Sequence, residues 1–184
     1  MRAAILLLAV VWALPAGAQS PQIVSKYESF RGCCGPFPAW LTPHSGVDFS
    51  GKYGDAVLAP ADGDVVSHIG ASAACGKTVA LHHRAFSRYT VYCHFQEVKV
   101  QIGTSVRRGD VIGTLGDSGV AGDCRATLPC PIVHMELTTV PHGHPRAKQG
   151  ETFDVLAHTA GCFDPAKAYP TDRLVLTFPV RCRD

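Results

Sequence analysis

His44-Ser45-Gly46-Val47-Asp48 sets an imidazole and a carboxylate four residues apart. In an extended segment such residues share a face, and Gly46 between them relaxes the backbone, so both side chains can aim at one point. Neutral imidazole and carboxylate are competent zinc ligands. A solvated loop explains most such pairs, so this one gains meaning only if other ligands converge on it. His134 is a third candidate. Val133, Met135 and Leu137 alternate with Ile132, His134 and Glu136, which predicts a strand with one face in the core and the other lining a cleft. His94 is a fourth, in Thr90-Val91-Tyr92-Cys93-His94-Phe95; alternation places Tyr92 and His94 on one face and Cys93 on the other. Taken singly, a histidine in a strand is most often a hydrogen-bonded structural residue.

The elements that must carry these side chains are short. The sequence predicts strands at Ala56–Leu58, Asp64–Ile69, Val111–Leu115 and Ile132–Thr138, and a hairpin of Lys77–His82 and Tyr89–Phe95 around Arg84–Ser87. Gly and Pro punctuation at this spacing argues for an all-β fold, an antiparallel sandwich or barrel. No long amphipathic helix is evident. Asp164–Tyr169 is expected to form one helical turn, with Asp164 as cap and Pro165 at the first position. Gln19–Leu41 and Val140–Gly161 read as less regular, the second as a loop or insertion.

The chain starts with Met1-Arg2, an apolar run from Ala3 to Leu14, and Ala16-Gly17-Ala18, the small-x-small pattern of a signal peptidase site. The run falls short of the roughly 20 residues that span a bilayer. The expected organisation is a signal peptide at 1–18, an N-terminal segment at 19–39 and one domain at 40–184 with an irregular loop near 139–161. The product would be periplasmic or secreted, with no stable membrane insertion after cleavage. Lys plus Arg number 17 against 15 Asp plus Glu, so nothing points to a nucleic-acid partner. Eight cysteines in an exported chain read as disulfides. No CxxC pair supports a cysteine zinc site. Cys124 and Cys130 could close a short loop and Cys75 and Cys93 lie in neighbouring segments, which leaves Cys33, Cys34, Cys162 and Cys182 to tie the chain ends together.

HSGVDF, GDAVLAPADGDVV, GKTVALHH, TVYCHF, VRRGDVIGTLGDSG and HMEL follow one another in a fixed order. From His44 to Leu137 this order resembles the lysostaphin-type (LytM-type) zinc metallopeptidases. The resemblance implies an antiparallel β fold with a groove, one zinc ion at its floor, and peptidoglycan peptides as substrate. It makes His44, Asp48 and His134 the zinc ligands and His94 a catalytic histidine beside the metal; His83 falls at a strand end and reads as structural. Three protein ligands leave one tetrahedral position for water, which zinc acidifies towards a pKa of about 7. His94 would take the water's proton or stabilise the oxyanion. Glu136 would orient a ligand from behind or stand as a solvated carboxylate at the rim.

The sequence departs from the family pattern in three places. The family's last motif reads His-x-His, and here Ile132 replaces the first histidine. Isoleucine neither transfers a proton nor donates a hydrogen bond, and losing one acid–base group typically costs about 10² to 10⁴ in rate. Trp40 is the nearest aromatic ahead of His44 where the family often has tyrosine; Tyr27 is further off. The cysteine-bearing loop Gly122–Pro131 precedes the last motif. His142 and His144 repeat the His-x-His spacing on a proline-flanked loop; the loop composition favours exposure to solvent, and the alternative is that one of them swings back to the cleft in place of the missing histidine. Two functional readings follow: a peptidoglycan endopeptidase of reduced activity, and a catalytically degenerate member that binds peptidoglycan or regulates a cell-wall hydrolase. A third, a secreted binding or inhibitor module, rests on the cysteines alone.

Overall fold

The computed structural model describes residues 21–29, 43–72, 75–119, 131–140 and 151–182. The expected signal peptide at 1–18, Trp40, Cys33, Cys34, Cys124, Cys130, His142 and His144 lie outside them. In chain order the strands are β1 (Gln22–Ser25), β2 (Val47–Ser50), β3 (Ala56–Leu58), β4 (Gly63–Ser72), β5 (Gly76–His83), β6 (Arg88–Cys93), β7 (Phe95–Val98), β8 (Ser105–Val106), β9 (Val111–Leu115), β10 (Ile132–Thr138) and β11 (Thr152–Phe153). They form a large sheet in the order β1-β2-β10-β6-β5-β4-β8, with β11 beside β10, and a small sheet in the order β3-β9-β7. The pairings are antiparallel. The fold is all-β, as the turn spacing implies. Among the described residues no helix is long and apolar enough to cross a membrane.

Alternation along β10 decides which side chains face inward. Val133, Met135 and Leu137 join the hydrophobic cluster, where they meet Val57, Ile112 and Leu115 of the small sheet. Register carries the same division to the neighbours, because directly opposed residues in an antiparallel pair share a face. In β2, Val47 lies opposite Met135 and Phe49 opposite Val133, while Asp48 lies opposite His134. In β6, Tyr92 lies opposite Met135 and Cys93 opposite His134. The apolar pairs therefore build the core, and Asp48, His134 and Cys93 share the other face.

Several sequence expectations change here. Tyr92 belongs to the core and not to the face of His94. β6 ends at Cys93, and His94 takes φ 71°, in the left-handed region that non-glycine residues rarely adopt, which breaks the alternation. The segment 19–41 contains β1, paired with β2. The segment 140–161 contains β11 and a short 3-10 turn at Leu156–His158, anchored by buried Val155. Asp164–Tyr169 holds a single turn that does not extend into a helix; the Lys167 amide donates to Asp164 carbonyl at 3.2 Å and Asp164 caps the turn as expected, its Oδ1 accepting the Ala166 amide at 2.9 Å. Cys75 pairs with Cys93, as their neighbouring segments suggest. Cys162 and Cys182 pair with each other and so do not tie the chain ends together. The Phe178 amide donates to Gly161 carbonyl at 2.8 Å and draws the two late cysteine segments side by side.

Leu137 is 1% exposed in the core and Val111 is 38% exposed at a strand start. Leu137→Ala is expected to cost about 2–5 kcal/mol in denaturant unfolding, and Val111→Ala no more than about 0.5 kcal/mol. Equal losses would contradict this assignment of faces.

Candidate metal centre

The register just described places Asp48 of β2 beside His134 of β10. His44 reaches them from the segment before β2, after a bend at Ser45-Gly46. Its backbone is fixed by paired hydrogen bonds to the segment after β1: the Glu28 amide donates to His44 carbonyl at 2.8 Å, and the His44 amide to Ser29 carbonyl at 3.1 Å. Gly46 is required for room, and its role differs from the backbone relaxation expected of it. A Cβ there would stand 2.3 Å from Met135 carbonyl oxygen and 2.8 Å from the His134 ring.

Three ligand atoms converge. His44 Nε2 lies 3.2 Å from Asp48 Oδ1, His134 Nδ1 lies 2.9 Å from the same oxygen, and the two nitrogens are 3.0 Å apart. Ligands bound tetrahedrally to zinc at about 2.0–2.2 Å stand roughly 3.3 Å from one another, so a small outward relaxation admits the ion. The second Asp48 oxygen, Oδ2, is buried without a hydrogen-bond partner. Buried polar atoms are seldom left so, and a cation at this point accounts for it. The His44 tautomer also fits. Lys26 carbonyl, 3.0 Å from His44 Nδ1, can only accept, so Nδ1 carries the proton and Nε2 presents its lone pair to the centre. Ser25 Oγ, 3.1 Å from the same nitrogen, adds a second contact. The residues present suit a divalent zinc.

Electrostatics around Asp48 follow from its neighbours. Burial opposes its ionisation, but the hydrogen bond from His134 and the closeness of the two imidazoles more than offset this and hold the carboxyl below the usual carboxylate range. Burial likewise opposes protonation of His134, and the Asp48 hydrogen bond with Glu136 alongside outweighs it, raising the imidazole to about 9. Glu136 is 1% exposed, with its carboxylate 3.8 Å from His134 Nε2. It is therefore no rim residue; it supplies negative charge behind His134, a candidate ligand.

His94 is buried at the edge of this group, its ring centroid 6.5 Å from that of His134. Its amide donates to Cys75 carbonyl at 2.8 Å. Its Nδ1 donates to Ser118 carbonyl at 2.8 Å, which leaves Nε2 as the acceptor. Burial pushes this imidazole down to about 4, so it is neutral at pH 7. The Cys75–Cys93 disulfide joins the two segments that hold it. Ser118 is fixed in turn: its Oγ accepts the Lys77 amide at 2.9 Å. Gly76, at φ 61°, lets the Ser118 backbone approach where a Cβ would stand 2.3 Å away.

Ile132 is buried on the same face as His134, two residues before it, and its amide donates to Gly116 carbonyl at 3.0 Å. His83 is structural, as expected: it donates from Nδ1 to Asp62 carbonyl at 2.7 Å and accepts at Nε2 from Thr90 hydroxyl at 2.9 Å. The supporting groups Ser25, Lys26 and Ser118 escape sequence reading. Two of them act through backbone carbonyls, which leave no side-chain signal.

Comparison with known proteins agrees with this geometry. The family model described as Peptidase family M23 matches residues 42–148. An uncharacterized metalloprotease of Haemophilus influenzae is 37% identical over 87 residues, 47% of this chain and 18% of that protein. The chain thus matches under a fifth of that relative's length. Among solved structures, the catalytic domain of the antimicrobial peptidase lysostaphin from Staphylococcus simulans superposes with a TM-score of 0.53 at 23% identity, covering 64% of this chain and 80% of the other. A zinc containing peptidase from Vibrio cholerae gives a TM-score of 0.50 at 28% identity, covering 64% of this chain and 33% of that one.

Two predictions follow from the geometry. Zinc must displace a proton from His134, raised to about 9, so titration calorimetry in buffers of different ionisation enthalpy is expected to show at least about one proton released per zinc near pH 7, with ionisation of the metal's water adding to it. No release at pH 7 would contradict the placement of His134. A Cys75→Ser/Cys93→Ser variant is expected to keep its zinc stoichiometry while His94 becomes open to carbethoxylation. Unchanged protection of His94 would show that the disulfide does not hold it.

Proposed function

The chain belongs to peptidase family M23, matched over residues 42–148, and from that premise we propose that it is an exported zinc endopeptidase acting on the cross-link or stem peptides of peptidoglycan. One observation carries the reading: two imidazoles and a carboxylate converge within hydrogen-bond distance of one another, and a neutral histidine is held beside them. Zinc bound by His44, Asp48 and His134 would supply Lewis acidity to a peptide carbonyl and acidify its water. His94 supplies the base. With Nδ1 fixed on Ser118 carbonyl, its Nε2 accepts the proton of the attacking water and returns it to the leaving amine. At pH 7 the imidazole is neutral, the form that can accept a proton. His44 and His134 keep their lone pairs aimed at the centre, because Lys26 carbonyl and the Glu136 carboxylate stand behind them.

Ile132 sets the rate in this reading. It is buried two residues from His134 on the same face and offers no proton-transfer group, so His94 performs both transfers alone. The same residue favours a second reading, a zinc-holding member that binds peptidoglycan or a cell-wall hydrolase without cutting. A closed structural zinc site usually has four protein ligands, and three converge among the described residues, which supports the enzyme.

Incubation of the zinc-loaded protein with purified peptidoglycan and with short glycine-rich peptides separates these readings. Slow, chelator-sensitive release of amines is expected, reduced by about 10² to 10⁴ in His94→Ala and accelerated in Ile132→His. Zinc bound with no hydrolysis by either wild type or Ile132→His would overturn the enzyme and leave the binding role.

A further inference from the structure

A second concave site lies at the other end of the large sheet. Along β6, Cys93 faces His134 and Arg88 faces His83. Five residues at about 3.3 Å each put His83 roughly 17 Å from the metal centre. Beside His83 opens a cavity of about 950 Å³. Its walls come from three places: the β5–β6 turn with Arg84 and Phe86, the β8–β9 turn with Arg107 and Arg108, and the returning C-terminal segment with Phe163, Lys167 and Arg173.

The charges in this cavity are unequal in a specific way. Its carboxylates are Asp62, Asp64 and Asp164, and the protein's own donors engage each of them. Asp62 accepts the Arg108 amide at 2.8 Å, and Asp164 accepts the Ala166 amide at 2.9 Å. Asp64 takes Arg84 and Ser105. Arg108 is also engaged: it donates to the Pro60 and Val175 carbonyls and lies 4.1 Å over the Tyr169 ring. Arg107, Lys167 and Arg173 are exposed, and none of them pairs with a carboxylate among the described residues. The lining thus carries five Lys and Arg against three Asp, with Lys167 also 5.8 Å over the Tyr169 ring. The wall beneath them is aromatic: Phe163 stacks on Tyr169 with centroids 6.5 Å apart and planes 21° apart.

We propose that this cavity is a second binding site, for an acidic saccharide chain. A sugar ring presents C–H groups that lie flat on an aromatic wall such as Phe163 or Phe86. Its carboxylate or phosphate groups suit guanidinium and ammonium donors. The concavity favours a single polymer strand over a flat lipid surface, and its size is that of a ligand pocket. Such a site would hold the protein on an anionic glycan independently of the metal centre, so it does not depend on the peptidase reading.

Titration calorimetry with hexagalacturonate, with a phosphorylated mannan oligosaccharide, with uncharged chitin hexamer and with hexaglutamate tests this. One of the two acidic saccharides is expected to bind, weakened at least about tenfold in Arg107→Ala/Lys167→Ala/Arg173→Ala, whose exposed side chains leave the core intact. Which saccharide binds identifies the acid group. Binding is expected to persist in His44→Ala, so failure of the metal centre and failure of this site are separable. No binding of either acidic saccharide, equal binding of hexaglutamate or of chitin hexamer, or unchanged affinity in the triple variant would each overturn the proposal.

Discussion

Asp48 is completely buried, and an ionised carboxylate removed from water is costly unless other charges or hydrogen bonds replace its hydration. Here the replacement is two imidazoles, one four residues back in the chain and one across the sheet. Neither works alone. His44 depends on the Lys26 carbonyl for its tautomer, and His134 depends on the β2–β10 register for its position. The hydrogen bonds satisfy one carboxylate oxygen and leave the other unmet. A divalent cation held by His44, Asp48 and His134 would complete what the protein leaves open.

The fold serves this arrangement from both sides of one strand. β10 lies between β2 and β6, so one alternation fills the core with Val133, Met135 and Leu137 and brings Ile132, His134 and Glu136 to the site. A slip of one residue would exchange the two sets, and the apolar pairs Val47–Met135 and Phe49–Val133 guard against it. Precision in the site thus derives from hydrophobic packing behind it. His94 is positioned differently. It sits past the end of β6 in a left-handed conformation, which only surrounding contacts can maintain. The Cys75–Cys93 disulfide, Cys75 carbonyl and Ser118 carbonyl provide them.

Much of this was legible in the residues. Alternation in Ile132–Thr138 gave the strand and its two faces, and the ordered motifs gave the family and the partners of His134. The misreadings share one cause: they concern groups whose placement is set by distant contacts. Alternation alone puts His94 with Tyr92, and it fails because the backbone turns left-handed there. Gly46 reads as a residue that relaxes the backbone, and it is a space that Met135 carbonyl needs. Glu136 resembles any polar residue of a half-exposed strand, and its burial depends on neighbours the sequence does not name. The pairing of Cys162 with Cys182 follows from the return of the C-terminal segment along Pro60 and Gly161, which no spacing rule encodes.

The central claim is that imidazole and carboxylate hold zinc in a chain whose sequence carries eight cysteines. Zinc K-edge X-ray absorption of the zinc-loaded protein measures this directly. The expected spectrum has only nitrogen and oxygen neighbours, at about 2.0–2.2 Å, including two imidazoles. Sulfur neighbours at about 2.3 Å would show thiolate ligation and contradict the centre built on His44, Asp48 and His134.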